Sequence, residues 1–75
     1  MIHLEFYLSD DYHRDEMLAF VSCAPQVPAN GSLCVIRHKK SEGFKRYRVR
    51  EVEYWFDEAQ PDTVPTAVVV VYESL

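Results

Sequence analysis

The chain is short of the residues on which several common kinds of functional site depend. It has two glycines, Gly31 and Gly43, which lie far apart, so it cannot form a glycine-rich loop around a phosphate group. It has two cysteines, Cys23 and Cys34, and no Cys-x-x-Cys pair, so the usual ligand spacing of a zinc site is missing. The longest apolar run, Ala67–Tyr72, is far too short to cross a bilayer.

The first residues of the chain also lack the features of a secretory signal. They alternate between apolar and polar and are acidic, with neither a basic segment nor an apolar block. We therefore expect a cytoplasmic protein that makes no contact with membranes and keeps its thiols reduced. Free cysteines in such a chain are typically small core residues, and Cys23 and Cys34 are predicted to be buried.

The residues that could carry chemistry do not form a recognisable site. Ser9–Glu16 holds four carboxylates and a histidine, but it lacks the alternation, the glycine and the distal glutamate of a calcium loop. Cys34 lies in an apolar segment, where burial would raise the pKa of its thiol and make it a poor nucleophile. The sequence therefore predicts no metal site, no cofactor and no enzymatic activity.

The length and composition are those of one small globular domain. The chain has 75 residues, of which 48% are hydrophobic and 27% charged, and we expect residues 1–75 to fold as a single unit. A chain of this length buries only about 60–65% of the surface of its unfolded state, so its stability is modest. Small domains often gain stability from a partner subunit, and a homo-oligomer is compatible with the sequence.

Residues 45–57, KRYRVREVEYWFD, are the longest stretch that reads as one element. Apolar residues occupy odd positions as far as Val49 and even positions from Val52 onward. A straight strand cannot keep both sets on one face, so we predict a β-bulge near Arg50–Glu51. A helix is the alternative, but valine and aromatic residues make up most of the segment and favour a strand.

Four further strands are predicted, separated by turn-forming residues, and they cover residues 2–8, 17–24, 33–37 and 66–72. The first alternates cleanly and should bury one face. The second could instead be part of a short helix near residues 12–22, capped by Asp10 or Asp11. The last contains four consecutive valines, which indicates a strand covered on both faces or one whose outer face meets a partner.

Four motifs, VPANGS, LCVI, YRVREVEYWFD and VPTAVVVVY, resemble a pattern of small SH3-like barrel proteins from phages and other mobile elements. The resemblance covers about residues 27–75. It implies an SH3-like barrel and an origin in a mobile element, and it transfers no catalytic residue. Together with the strand pattern, it predicts a mostly-β fold, a small five-stranded SH3-like barrel.

Positive charge is concentrated in residues 37–50. Seven of the eight Lys and Arg residues lie there with a single acid, giving a net charge of +6, whereas the rest of the chain carries −10. If the apolar side chains of this hairpin are buried, Arg46, Arg48 and Arg50 all point outward. An acidic protein thus presents one basic surface.

This basic segment and the one tryptophan supply the candidate binding residues. Trp55 falls where alternation places polar side chains, and an exposed tryptophan is a common anchor in protein interfaces. Acidic loops around residues 10–16 and 57–62 form a complementary surface that could mimic nucleic acid toward a protein. The candidate partner-binding residues are Lys39, Lys40, Phe44, Lys45, Arg46, Arg48, Arg50 and Trp55.

Three interpretations of the charged surface are open. The preferred one is a non-enzymatic accessory or inhibitor protein that binds a protein partner through the charged loops and the hairpin of residues 37–50. The second is a nucleic-acid-binding protein that uses the basic hairpin, although a net charge of −4 opposes this. The third is that the basic side chains are solvated or pair with Glu51, Glu53, Asp57 or Glu58 of the same chain.

Overall fold

The computed structural model describes residues 1–9, 17–37, 43–60 and 64–74. These residues form five β-strands and no helix. The described part of the chain therefore contains no helix long and apolar enough to cross a membrane. The strands are β1 (Ile2–Leu8), β2 (Ala19–Ala24), β3 (Leu33–Ile36), β4 (Lys45–Trp55) and β5 (Thr66–Glu73). The second predicted segment is therefore a strand from Ala19, while residues 12–16 of the alternative helix lie outside the described residues.

The five strands form one sheet in the order β2-β1-β5-β4-β3. The sheet is strongly curled into a half-barrel, which confirms the prediction of a small, mostly-β fold with five strands. β1 and β5 run parallel, and the other neighbouring pairs are antiparallel. Within the described residues, the sheet ends at β2 on one side and at β3 on the other.

The central strand, β5, is buried on both faces, as its run of valines predicts. On the concave face, Ala67, Val69 and Val71 belong to a core to which all five strands contribute. On the convex face, Val68 and Val70 form a smaller cluster with residues of other segments. A strand flanked on both edges and covered on both faces has no solvent-facing position for a polar side chain over most of its length.

Tyr7 is the residue that covers the convex face from β1. The first strand was predicted to bury one face, and it also buries Tyr7 on the other face, where this residue is only 2% exposed and packs with Val68, Val70 and Met17. Its hydroxyl donates a hydrogen bond to Oε1 of Glu5 at 2.8 Å, so its polar end has a partner. A tyrosine can be buried in this way because its ring is apolar and only its tip needs a hydrogen bond.

The predicted bulge in β4 is confirmed. Val49 pairs with Val71 and Glu51 pairs with Val70, so one extra residue, Arg50, lies in β4 at this point. Beyond the bulge, Val52 packs against the same concave core as Val49. The extra residue is what allows the two halves of the strand to bury the same face despite their change of phase.

The cysteines differ from the expected burial. Cys23 is exposed on the edge strand β2, so its assignment to the core was wrong, and its thiol donates a hydrogen bond to Sδ of Met1 at 3.1 Å. Cys34 on β3 is partly buried against the core, and this burial raises the pKa of its thiol, as predicted. An edge strand leaves one of its two sides unprotected, which explains why an apolar stretch such as β2 can remain exposed.

Candidate functional site

The first half of β4 carries the predicted basic surface. Tyr47 and Val49 are buried, and Arg46, Arg48 and Arg50 are exposed, so the arginines share the outer side of the strand as alternation requires. β3 pairs with this half through Lys45 to Arg48. The pairing is antiparallel, and Lys39 and Lys40 of the predicted basic hairpin lie outside the described residues.

Several of the basic side chains contact groups of their own chain. Lys45 Nζ lies 4.0 Å from Oε1 of Glu73, and both side chains are more than half exposed. Arg48 Nη1 donates a hydrogen bond to the carbonyl of Gly31 at 3.0 Å. These solvent-exposed contacts stabilise the fold by only about 0–1 kcal/mol each.

One further contact of a basic side chain is a cation–π pair. The guanidinium carbon of Arg37 lies 5.4 Å from the centre of the exposed ring of Phe44, within the range of a cation–π interaction. Among the described residues, Arg46 and Arg50 have no ion-pair partner. Within that same part of the chain, no ion pair joins the arginines to Glu51, Glu53, Asp57 or Glu58, the acids named in the third interpretation.

Three consecutive aromatic residues, the last two of β4 and the residue that follows it, are exposed. Tyr54 is 52% exposed, Trp55 49% and Phe56 74%. Alternation predicted that Tyr54 and Phe56 would continue the buried face, and this was wrong: their rings instead stack on each other, with centroids 6.2 Å apart and planes inclined by 12°. Trp55, on the opposite side of the strand, is exposed as its phase predicts.

The cause of this exposure is the difference in length between β3 and β4. β3 pairs with β4 only from Lys45 to Arg48, and two backbone hydrogen bonds with Val49 extend the contact slightly. From Glu51 to Trp55, β4 is paired with β5 on one side. The described pairing with β3 and the two residues before it therefore stops at Val49, before this segment.

A shallow cleft of about 290 Å³ lies beside the aromatic residues. It is lined by Trp55, Phe56, Val64 and Pro65, together with the acidic residues Asp57 and Glu58 and with Thr66. The residues that line this cleft come from two segments that are separated in the sequence. Sequence reasoning predicted Trp55 as an anchor, but it did not find Val64 and Pro65 as its neighbours.

Two local interactions hold this end of the strand in place. The indole Nε1 of Trp55 donates a hydrogen bond to Oε1 of Glu53 at 2.5 Å, which orients the ring on the outer face. Asp57 starts a tight turn in which its side chain accepts a hydrogen bond from the Ala59 amide at 2.9 Å, and its carbonyl accepts one from Gln60 at 3.2 Å. The aromatic surface is therefore preorganised rather than mounted on a free segment.

Comparisons with protein-family models, curated proteins and solved structures found no match to this chain. Among the described residues, no group of three or more His, Cys, Asp or Glu side chains is placed to hold a metal ion. Inference about function therefore starts from the surface of β4, which is basic in its first half and aromatic and acidic in its second.

Proposed function

We propose that this chain is a small, non-enzymatic binding module that docks on a protein partner through the second half of β4. The observation that supports the proposal is the exposure of three adjacent aromatic side chains, Tyr54, Trp55 and Phe56, beside an apolar cleft. Contiguous exposed apolar surface is uncommon on monomeric proteins and is typical of interaction sites. Aromatic residues are also enriched in the centres of protein interfaces.

The geometry of this surface suits an interface anchor. Trp55 is held by Glu53, so its ring loses little rotational freedom when a partner covers it. The charged groups around it, with Arg46 and Arg50 on one side and Asp57 and Glu58 on the other, would orient a partner of complementary charge. The resemblance of residues 27–75 to proteins of mobile elements suits an accessory or inhibitory role.

The proposal can be tested by photo-crosslinking inside the cells that make the protein. A benzophenone amino acid replaces Phe56, and a matched control carries it instead of Phe20, which is exposed at the far edge of the sheet on β2. We expect a discrete adduct from position 56 that is destroyed by protease and unaffected by nuclease, and a weaker one from position 20. If no protein adduct forms from position 56, the proposal is wrong.

A nucleic-acid-binding function is the second candidate, because Arg46 and Arg50 are exposed and have no ion-pair partner among the described residues. The outward arginines of a strand repeat at about 6.5–7 Å, which is close to the spacing of phosphates along one strand. If this function is correct, the protein binds a heparin or DNA column at low salt, and reversing Arg46, Arg48 and Arg50 to Glu abolishes retention. Wild-type protein that flows straight through the column rules it out.

A further inference from the structure

β3 is the last strand on one side of the sheet in the described part of the chain, and its backbone has an outward-facing edge. The amide of Val49 donates a hydrogen bond to the carbonyl of Ser32, the residue opposite it, at 3.0 Å. Hydrogen-bonded and non-hydrogen-bonded pairs alternate along an antiparallel ladder. The N–H and C=O groups of Leu33 and Val35 therefore point away from β4.

A hydrogen bond on the other side of β4 supports this direction. The carbonyl of Arg46, which lies opposite Val35, accepts a hydrogen bond from the amide of Ser74 at 2.9 Å. This carbonyl points away from β3, as expected for a non-hydrogen-bonded pair. Within the described residues, no backbone hydrogen bond joins Leu33 or Val35 to a segment on the outer side of β3. Their outward donors and acceptors can pair with an added strand.

The side chains on the convex face beside this edge are apolar and are flanked by arginines. Leu33 is 45% exposed and Val35 55%. Leu33 lies opposite Arg48 and Val35 opposite Arg46, so the four side chains share one face. Arg48 leans toward the start of β3, since its Nη1 donates a hydrogen bond to the Gly31 carbonyl at 3.0 Å. The face is therefore apolar at the edge and positively charged one strand further in.

We propose that the outer edge of β3 binds an extended segment of a partner protein as an added antiparallel strand, in which acidic and apolar residues alternate. Acidic side chains opposite Leu33 and Val35 would lie on the convex face. Two strand spacings, about 10 Å, would separate their backbone from that of Arg46, a distance that a glutamate and an arginine side chain span together. The intervening apolar side chains would lie beside Cys34 and Ile36 and extend the concave core. This contact is separate from the aromatic surface of the proposed function and does not depend on it.

A nucleic acid and a second copy of this chain fit the edge less well. Leu33 and Val35 are aliphatic and offer no ring on which a base could stack. The net charge of −4 also repels a long polyanion more than a short acidic peptide. A second copy would bring another Arg46 and Arg48 to the same junction, and repulsion between the two sets of arginines opposes that pairing.

The inference is tested with a fluorescein-labelled peptide of alternating glutamate and valine, measured by fluorescence anisotropy at about 0.15 M salt, where charges are screened beyond about 8 Å. We expect saturable binding, and no binding of the matching lysine–valine peptide. N-methylation of the glutamate amides removes the donors that would pair with Leu33 and Val35, and it should abolish binding. N-methylation of the valine amides, which would point to solvent, should weaken binding far less. Equal affinities of the two methylated peptides, or the reverse order, would overturn the inference.

Two variants that each make the protein more negative by one charge provide the matched comparison. Arg46→Gln removes a cation next to the edge, whereas Ser22→Glu adds an anion on β2, at the other end of the described sheet, where Ser22 is exposed. We expect Arg46→Gln to weaken binding of the glutamate–valine peptide by about fivefold and Ser22→Glu by less than about twofold. Equal losses would show that only net charge matters and would overturn the inference.

The remaining outcomes identify other occupants of the edge. If single-stranded DNA binds more tightly than the glutamate–valine peptide and displaces it, the arginines serve a nucleic acid and the inference is wrong. If the peptide-free protein dimerises in sedimentation equilibrium and Val35→Lys abolishes the dimer, the edge serves self-pairing and the inference is also wrong. Specific binding of the peptide without a protein crosslink from position 56 would support the inference and refute the proposed function, so the two are decided separately.

Discussion

Replacement of Val70 by aspartate tests whether the convex face of the sheet is a second core. Val70 lies in the middle of β5, between Glu51 of β4 and Tyr7 of β1, and it is only 2% exposed. An aspartate at this position would place a carboxylate beneath the ring of Tyr7 and across from the like charge of Glu51. The side chains that pack with Val70 on this face are Tyr7, Val68 and Met17, which are apolar apart from the tyrosine hydroxyl.

The expected loss is large relative to the stability of the whole domain. Burial of a carboxylate without a partner costs at least about 3 kcal/mol in an effective protein environment. A chain of 75 residues has a free energy of unfolding of about 4–11 kcal/mol, estimated from the usual value per residue. We therefore expect the Val70→Asp variant to be marginally folded or unfolded at 25 °C.

Urea denaturation followed by circular dichroism measures this effect. For a small domain the free energy of unfolding falls by about 1 kcal/mol per molar urea, so the midpoint should drop by about 3 M. Tyr72→Asp is the matched control, because Tyr72 is on the same strand and the same face but is exposed. We expect it to cost less than about 1 kcal/mol. Equal midpoints for the two variants would show that the convex face is not buried.

Three other predictions concern single residues. Gly31 has φ of 85°, so Gly31→Ala should lower the free energy of unfolding by about 1 kcal/mol in thermal or urea melts. Gly43→Ala is the control, and it should change the free energy of unfolding by less than about 0.5 kcal/mol, since an added Cβ there would meet no atom within 4 Å. Similar losses of stability in the Gly31→Ala and Gly43→Ala variants would contradict the positive φ of Gly31. With Ellman's reagent, exposed Cys23 should react quickly and Cys34 slowly, with the slow phase gaining speed as pH rises, because burial raises the pKa of the Cys34 thiol. The Cys23→Ser variant should lose the fast phase of the reaction. If it loses the slow phase instead, the assignment of the two phases to the two cysteines is wrong. Trp55 should emit at the long wavelengths of a solvated indole and be strongly quenched by acrylamide, whereas a blue-shifted maximum would place it in the core.

The strands and the bulge were predictable because they depend on local spacing. Side chains alternate along a strand, so the change of phase between Val49 and Val52 required one extra residue wherever the strand paired. The same alternation predicted the outward arginines. Burial of the last strand on both faces was likewise readable from its valines, since four apolar residues in succession cannot all point to one side.

The exposed residues of the candidate site were not predictable in the same way. Tyr54 and Phe56 have the correct phase for the buried face. They are nevertheless exposed, and the pairing of β3 with β4 does not extend to them. Tyr7 has the wrong phase for the concave core, and it is buried because β5 and Met17 create a second cluster on the convex face. Both outcomes depend on which strands are neighbours, and spacing within one strand carries no such information.

What the sequence determined by itself was four of the five strands, the bulge and the outward arginines, because backbone geometry imposes a two-residue period on any strand; the sequence of the second strand was also compatible with a short helix. What the tertiary structure decided was the parallel pairing of β1 with β5, the second core and the short extent of the pairing between β3 and β4. These features follow from contacts between residues far apart in the chain, as when Val64 and Pro65 meet Trp55 to form the cleft. Such contacts depend on the order of strands in the sheet, which local periodicity does not specify.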